Sequence, residues 1–557
     1  MKRTETLCST ILLLLLASAV FSYQSQKITG PLQDELLQAQ ADEKISCIVT
    51  MKKRYNHDAV RSLLSAREKI ARYKQIARQS REPVLAWLAA QGDRAEVQQK
   101  YWTFNGFHVK ATPSVIYALT EREDVLRCGA NEQLFTDGTV SAKRGTTPTR
   151  GIAWGVRKIQ ADKCWEQGYT GKGVVIGIID GGVQYEHPAL EDKWSGYWIA
   201  TQGLDPSPTP YDLTSHGSHC LGSIVGGDGP GPFEQDIGVA PGAKYAAGAT
   251  MLKLDQCFEA LDYMASLSDS CNIRAVSNSW TAGSNPGNVP DYIEINNTML
   301  SLGILNVYCN GNHPSNPGPG SVWMCASVPN VIGVGNTDSL DNINPSSMLG
   351  PSADKEPWTN TEYWLRDDWD LIKPNIAAPG TDIWSCTKDS DYIARTGTSM
   401  ATPHVAGVIA LIAEKNPDLT PREIYDILLR STDQPAANGP YPNNTFGWGR
   451  LNALKALELT STPIQYQKNS TTLKALSLST CQRQGIVKVS FSLLHEQEVK
   501  IGIIDAKGKR IADIVNARYL SGDHEVRWNT KQATPGLYLC RLSAGKVQVT
   551  QKIILVK

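Results

Sequence analysis

The 557-residue chain has no charge imbalance, with 55 Lys and Arg against 55 Asp and Glu. A neutral chain has no broad field with which to gather nucleic acid or an anionic membrane, so both partner classes are set aside. Long apolar runs are also missing, with one exception. Ile11 to Leu16 follows Lys2 and Arg3 and precedes two small-residue sites, Ala17-Ser18-Ala19 and Val20-Phe21-Ser22. This pattern predicts a secretory signal peptide over residues 1–22, too short for a membrane span. Nothing later in the chain is long and apolar enough to cross a bilayer. Histidine is scarce, at nine residues, so few places can use imidazole chemistry. Cysteine is not scarce, at twelve. Export permits disulfides, and three pairings are expected: Cys257 with Cys271, Cys309 with Cys325, and Cys481 with Cys540.

A chain this long exceeds one core. Residues 23–150 read as a small α+β unit: strand "KISCIVTMKK", a long amphipathic helix, strand "YWTFNGFHVKAT", helix "PSVIYALTERED", strand "VLRCG". The polar stretch from Phe135 to Arg150 is an exposed linker. Residues 151–460 alternate apolar runs with helix-like segments. "GVVIGIID", "IRAVSNSW", "GILNVYCNGN" and "PNVIGVGNT" are apolar on both faces, which predicts an α/β doubly wound parallel sheet covered by helices. Sites in such sheets lie at the C-terminal strand ends, and Asp180, Ser279 and Asn312 fall at or just after such ends. A polar linker over 461–475 leads to residues 476–557. Their short alternating runs predict a small all-β sandwich.

Three stretches can carry chemistry. "GTSMATPHVAG" sets Ser399 at the mouth of a buried helix, with Pro403 four residues on. Ser399 is either a nucleophile at a positive helix end or, like Thr398, a plain N-cap. "HGSHC" offers His216 as a base. It also reads as a His216/His219 pair bridging a helix to a loop, or as a metal site with Cys220. Asp180 ends an apolar strand, where a carboxylate needs a partner. It can orient an imidazole or cap a turn. A "G-x-S-x-G" block is absent around Ser399, which argues against the lipases and esterases that use one.

In chain order the set is Asp180, His216, Ser399, the order found in subtilisin. "VVIGIIDGGVQYEHPAL", "HGSHCLG" and "GTSMATPHVAG", with "GVAPGAKY" and "KPNIAAPGTDIWS" between them, resemble the blocks of the subtilisin-like (subtilase) serine proteases. The resemblance implies a secreted serine endopeptidase working through an Asp/His/Ser triad and an acyl-enzyme. It also implies an oxyanion donor, Asn312 of "VYCNGNHPS". Ser277, Asn278, Ser279, Trp280 and Thr281 would bind the substrate backbone as an added strand. Cys309, Asn310 and Gly311 would line the opposite pocket wall. "YWTFNGFHVKATPSVIYALTERED" resembles the family's inhibitory propeptide, removed by self-cleavage between about Phe135 and Arg150. The C-terminal motifs, among them "IGIIDAKGKRIADIV" and "PGLYLCRLSAGK", resemble the sorting domains of type IX secretion substrates, so secretion machinery is an expected partner. An adhesion module is the competing reading there.

Three positions depart from the pattern. Gly181 stands where the family usually has Ser or Thr, Thr281 where it has Gly, and Cys220 adds a thiol beside the base. No cofactor is required by this reading. Structural calcium would have to come from the acidic loops "DSLDNIN", "RDDWD" and "KDSD". The rival reading is a catalytically silent subtilase scaffold acting as a surface binding protein.

Overall fold

A computed structural model describes residues 27–134, 151–227, 236–281, 288–313, 317–461 and, with short interruptions, 476–555. The expected signal peptide and both expected linkers lie outside the described residues. The chain divides into two compact units, Met1–Thr462 and Pro463–Lys557.

The N-terminal part of the first unit is a four-stranded antiparallel sheet in the order β2-β3-β1-β4. Its strands are β1 (Ile45–Met51), β2 (Ala95–Tyr101), β3 (Gly106–Ala111) and β4 (Val125–Ala130). Helices Ala66–Ala89 and Pro113–Glu121 complete a β-α-β-β-α-β unit. Strand β2 was not expected. Its sequence "AEVQQKY" carries one fully buried residue, Tyr101, so hydrophobic alternation does not mark it. Residues 102–105 turn the chain back, and the single expected strand "YWTFNGFHVKAT" is in fact a turn and β3.

The second part of this unit is a seven-stranded parallel sheet in the order β11-β10-β9-β8-β5-β7-β6. Strands β5 (Val175–Asp180), β8 (Ile273–Asn278), β9 (Leu305–Cys309) and β10 (Ile332–Thr337) are buried at every position. These are the four apolar runs seen in the sequence, and helices on both faces explain why they do not alternate. Strands β6 (Trp194–Ala200), β7 (Lys244–Ala249) and β11 (Ile376–Pro379) complete the sheet. The chain leaves β5 toward β7 and β6, then resumes on its other side with β8. The β5/β8 boundary is therefore the switch point, where such sheets place their sites.

Among the described residues, the second unit holds seven strands in two antiparallel sheets. One contains Leu476–Arg483, Ile486–Leu493 and Gly522–Asn529; the other contains Gln497–Asp505, Arg510–Tyr519, Gly536–Ala544 and Val547–Leu555. Alternating residues such as Val487, Val489, Phe491, Val499, Ile501 and Ile503 form its core, the sandwich that the alternation predicts.

Candidate active site

Asp180 ends β5 and is 1% exposed. Its two carboxylate oxygens each lie 2.9 Å from His216 Nδ1, and Oδ1 also accepts from Gly181 N at 2.8 Å. His216 opens the helix His216–Val225. That helix can approach β5 so closely because residue 217 is glycine; a Cβ there would sit 2.0 Å from Gly182 O and 3.0 Å from Asp180 Cβ. Burial disfavours the imidazolium, but the Asp180 carboxylate outweighs it and holds the His216 pKa well above its ordinary value. His216 Nε2, the nitrogen that faces away from Asp180, has no hydrogen-bond partner.

Two residues that the sequence reading passed over shape this corner. Asp212 Oδ1 accepts from Thr214 N and Ser215 N, both at 2.8 Å, and Oδ2 accepts from Ser218 N at 3.0 Å. The turn into His216 is thereby fixed, with Ser215 left-handed at φ 64°. Thr214 Oγ1 accepts from His216 N at 3.2 Å. It also lies 2.8 Å from where a Cβ on residue 181 would be. The space left by glycine at 181 is thus filled by the Thr214 side chain. A "D-x-x-x-H" spacing with Asx-turn chemistry was the available signal.

Ser399 is the second residue of helix Thr398–Lys415 and is fully buried. Pro403 has no N–H to return to the carbonyl of Ser399, four residues back. That carbonyl instead accepts from Ser279 Oγ at 2.9 Å and from Cys220 Sγ at 3.4 Å. The proline frees the group that ties the Ser399 helix both to the end of β8 and to the His216 helix. Ser399 Oγ donates to Ser279 O at 3.2 Å. Asn312 Oδ1 accepts from Thr398 N at 2.9 Å, which fixes the amide and leaves Nδ2 as a buried donor with no acceptor.

Ser277 to Thr281 are all buried. Asn278 donates to Val276 O and to Asn306 Oδ1, both at 3.1 Å, and Trp280 packs edge-on to Tyr308 with centroids 5.4 Å apart. Cys309 and Asn310 are fully buried. Gly311 N donates to Thr398 Oγ1 at 3.3 Å, so Gly311 borders the Ser399 helix. A side chain there would meet Met348 Sδ at 2.7 Å and Trp323 Cγ at 2.9 Å. The remaining histidines of the parallel-sheet part have bonds elsewhere. His219 Nε2 contacts Ile393 O at 3.1 Å, and burial lowers its pKa to about 3. His404 Nδ1 contacts Met400 O at 2.9 Å, and burial lowers its pKa to about 4. His187 Nδ1 accepts from Ala189 N at 3.1 Å. His313 N donates to Ser346 O at 2.8 Å.

Residues 27–134 dock on two helices of the parallel-sheet part, Leu254–Ser266 and Val289–Ser301. Asp262 accepts from Trp102 N at 2.9 Å, Thr103 N at 3.0 Å and Thr103 Oγ1 at 2.5 Å. Burial raises its pKa to about 6 against these bonds. Asp291 accepts from Thr50 Oγ1 at 3.0 Å and pairs with Arg127, and Glu294 accepts from Tyr55 N at 3.1 Å. The tail then runs along the β7 side, where Gln133 and Lys253 form an antiparallel bridge. Leu134 N donates to Leu252 O, two residues from Thr250, whose N–H donates to Asp180 O.

The cysteine pairings need correction. Cys257 and Cys271 are separate thiols. The Cys309–Cys325 staple is not made; Cys309 Sγ instead contacts Trp280 O at 3.6 Å. Cys540 is a buried thiol, and the side chain of Cys481 lies outside the described residues. Apolar burial suits a thiol without a bridge. Cys220 Sγ lies 3.9 Å from His216 Nδ1. Three of the acidic-loop carboxylates have protein partners. Asp338 accepts from Leu340 N and Asn342 N at 2.9 Å, Asp341 pairs with Lys158 and Arg450, and Asp368 pairs with Arg366. Among the described residues only Asp180, His216 and Cys220 gather three metal-binding side chains, and that cluster is the site itself.

A model of the Subtilase family matches residues 171–449, and one described as a Secretion system C-terminal sorting domain matches residues 483–557. The chain belongs to the subtilase family, an α/β protein with a C-terminal sorting domain, and it is secreted or placed at the cell surface. It is similar to Bacillopeptidase F of Bacillus subtilis (strain 168), 32% identical over 431 residues, which cover 70% of this chain and 28% of that protein. Thermitase of Thermoactinomyces vulgaris is 29% identical over 318 residues, 55% of this chain and 95% of that protein. M-protease of Shouchella clausii (strain KSM-K16) is 28% identical over 319 residues, 55% and 70% respectively. The chain spans just over a quarter of the length of Bacillopeptidase F. No described helix is long and apolar enough to cross a membrane.

Proposed function

We infer that this chain is a secreted serine endopeptidase made as a self-processed zymogen. The observation that carries the reading is the set of contacts that draws these residues to one place: Asp180 sits 2.9 Å from His216 Nδ1, Cys220 Sγ lies 3.9 Å from that nitrogen and 3.4 Å from Ser399 O, and Asn312 Oδ1 takes the N–H of Thr398 next to Ser399.

The chemistry follows. Ser399 Oγ turns from Ser279 O toward His216 Nε2 and gives up its proton there. The oxygen bonds to the scissile carbonyl carbon, and the carbonyl electrons move onto its oxygen. Asn312 Nδ2 and the Ser399 N–H receive that negative charge. Collapse breaks the C–N bond, and His216 returns the proton to the departing amine. Water then attacks the acyl-Ser399 by the same route. Asp180 holds His216 with Nδ1–H toward it and offsets the charge of the imidazolium.

Residues 23–150 act as the inhibitory propeptide and linker, with the tail at 131–134 leading toward Asp180. Residues 151–460 form the peptidase domain, and residues 476–557 address the chain to its secretion machinery. The test is a serine-directed phosphonate together with Ser399→Ala. The reading expects Ser399 to be labelled in the processed wild type, and the variant to accumulate at full length. An unlabelled Ser399 in a protein that cleaves no peptide would leave the silent-scaffold reading instead.

A further inference from the structure

The seam between residues 27–134 and the parallel-sheet part holds a second chain of hydroxyl, imidazole and carboxylate. Ser46 lies on β1 and His108 on β3. Ser46 pairs directly with Lys110, and Ile48 pairs with His108, so Ser46 and His108 are diagonal neighbours on one face of the sheet. Ser46 Oγ is 2.7 Å from His108 Nε2. Asp255 Oδ2, from the first turn of helix Leu254–Ser266, is 3.2 Å from His108 Nδ1, to one side of the ring N–H axis.

Asn131 fixes the direction of this chain. Its Oδ1 accepts from Asp255 N at 3.0 Å, so its Nδ2 is the atom that donates to Ser46 Oγ, at 3.2 Å. With that donor on its lone pair, the Ser46 hydroxyl sends its own proton to Nε2. The carboxylate beside Nδ1 favours the tautomer in which Nε2 can take it. The group borders a cavity of about 380 Å³ whose lining includes Lys110, Lys253, Gln98 and Gln202. His108 is 3% exposed, and Ser46 is half-buried.

We propose that Ser46, His108 and Asp255 form a second nucleophilic site that hydrolyses small acyl esters and exists only while residues 27–134 are docked. In the step, His108 Nε2 takes the proton as Ser46 Oγ bonds to the ester carbonyl carbon. The negative carbonyl oxygen faces the positive rim of Lys110 and Lys253. The C–O bond to the alcohol then breaks, and His108 protonates the departing oxygen. Water, deprotonated by the same nitrogen, cleaves acyl-Ser46 to the free acid. Two of the three groups belong to the N-terminal part and the third to the helix it docks on, so separation dismantles the site. The proposal does not depend on the role given to Ser399.

The test uses the full chain carrying Ser399→Ala, treated with a fluorophosphonate and assayed with p-nitrophenyl acetate. Peptide mass mapping is expected to place the label on Ser46. Ester turnover is expected to fall at least about 100-fold when Ser46→Ala is added, with the melting temperature kept as a check on folding. No label on Ser46 overturns the proposal. So does a label without Ser46-dependent turnover. Peptide cleavage by the wild-type chain is scored separately, so failure of the peptidase reading leaves this result interpretable.

Discussion

The two hydroxyl–imidazole–carboxylate chains are incomplete at opposite ends. At the switch point the charged end is finished: both oxygens of a buried Asp180 sit 2.9 Å from His216, while Ser399 points at Ser279 O. At the seam the hydroxyl end is finished, with Ser46 on His108 at 2.7 Å, while Asp255 approaches off axis. The difference follows from assembly. Asp180 ends a central strand, and His216 opens a helix that Gly217 lets approach that strand, since a Cβ there would sit 2.0 Å from Gly182 O. Asp255 lies on a helix of the parallel-sheet part and His108 on a strand of the four-stranded sheet, so the packing of one on the other sets their alignment. Ser399 Oγ can turn about one bond, whereas the Asp180 carboxylate is held in place by His216 Nδ1 and Gly181 N. Preorganisation at the carboxylate is thus the part that must be built into the fold.

The sharpest way to break this comparison is Asp180→Asn. If the imidazole–carboxylate pair is what the fold preorganises, kcat on a peptide substrate falls by about 10⁴-fold with the melting temperature little changed; a fall under ten-fold contradicts it. Asn312→Ala is next. It removes the unsatisfied donor and is expected to lower kcat by about 10²–10³ with little change in KM, the scale known for the corresponding donor in subtilisin.

The third test concerns the seam. Burial raises the Asp262 pKa from an ordinary 3.8 to about 6, although the bonds from Trp102 and Thr103 pull it down, so the folded state takes up a proton. This contribution is fully present below about pH 4 and is lost as pH rises through 6. In full-length Ser399→Ala protein, this contribution to the melting temperature should therefore fall between pH 4 and pH 7. Asp262→Asn should flatten that difference, as read by thermal melts at stepped pH. The smallest effect is expected at Cys220→Ser, where a hydroxyl can still donate to Ser399 O. Peptidase activity should stay within about three-fold, and a larger loss would give the thiol a chemical role.

Legibility from sequence followed burial. The four central strands were readable because apolar and small residues dominate them on both faces. Strand β2 was missed because its outward face is polar throughout, β6 because it is only half-buried, and β7 and β11 because their short alanine-rich runs lack the Val and Ile that mark a strand. The blocks around Asp180, His216 and Ser399 stood out because glycine, proline and a lone polar residue fall where close approach demands them. The cysteine pairings failed for a physical reason: sequence spacing says nothing of Cβ separation, and these thiols are content in apolar surroundings. Thr214 and Asp212 went unread because an acceptor that fixes backbone amides looks, in sequence, like any loop residue.

The sequence by itself determined the class of fold, the order of the three candidate catalytic residues and the unusual placing of a proline four residues after a serine. Those depend on local patterning, which the chain carries in its own letters. Only the tertiary structure decided which carbonyl that proline released and who claims it, that Thr214 fills the gap beside Gly181, and that Ser46, His108 and Asp255 meet. Each of these joins residues far apart in the chain, and their contact is fixed by how sheets and helices pack.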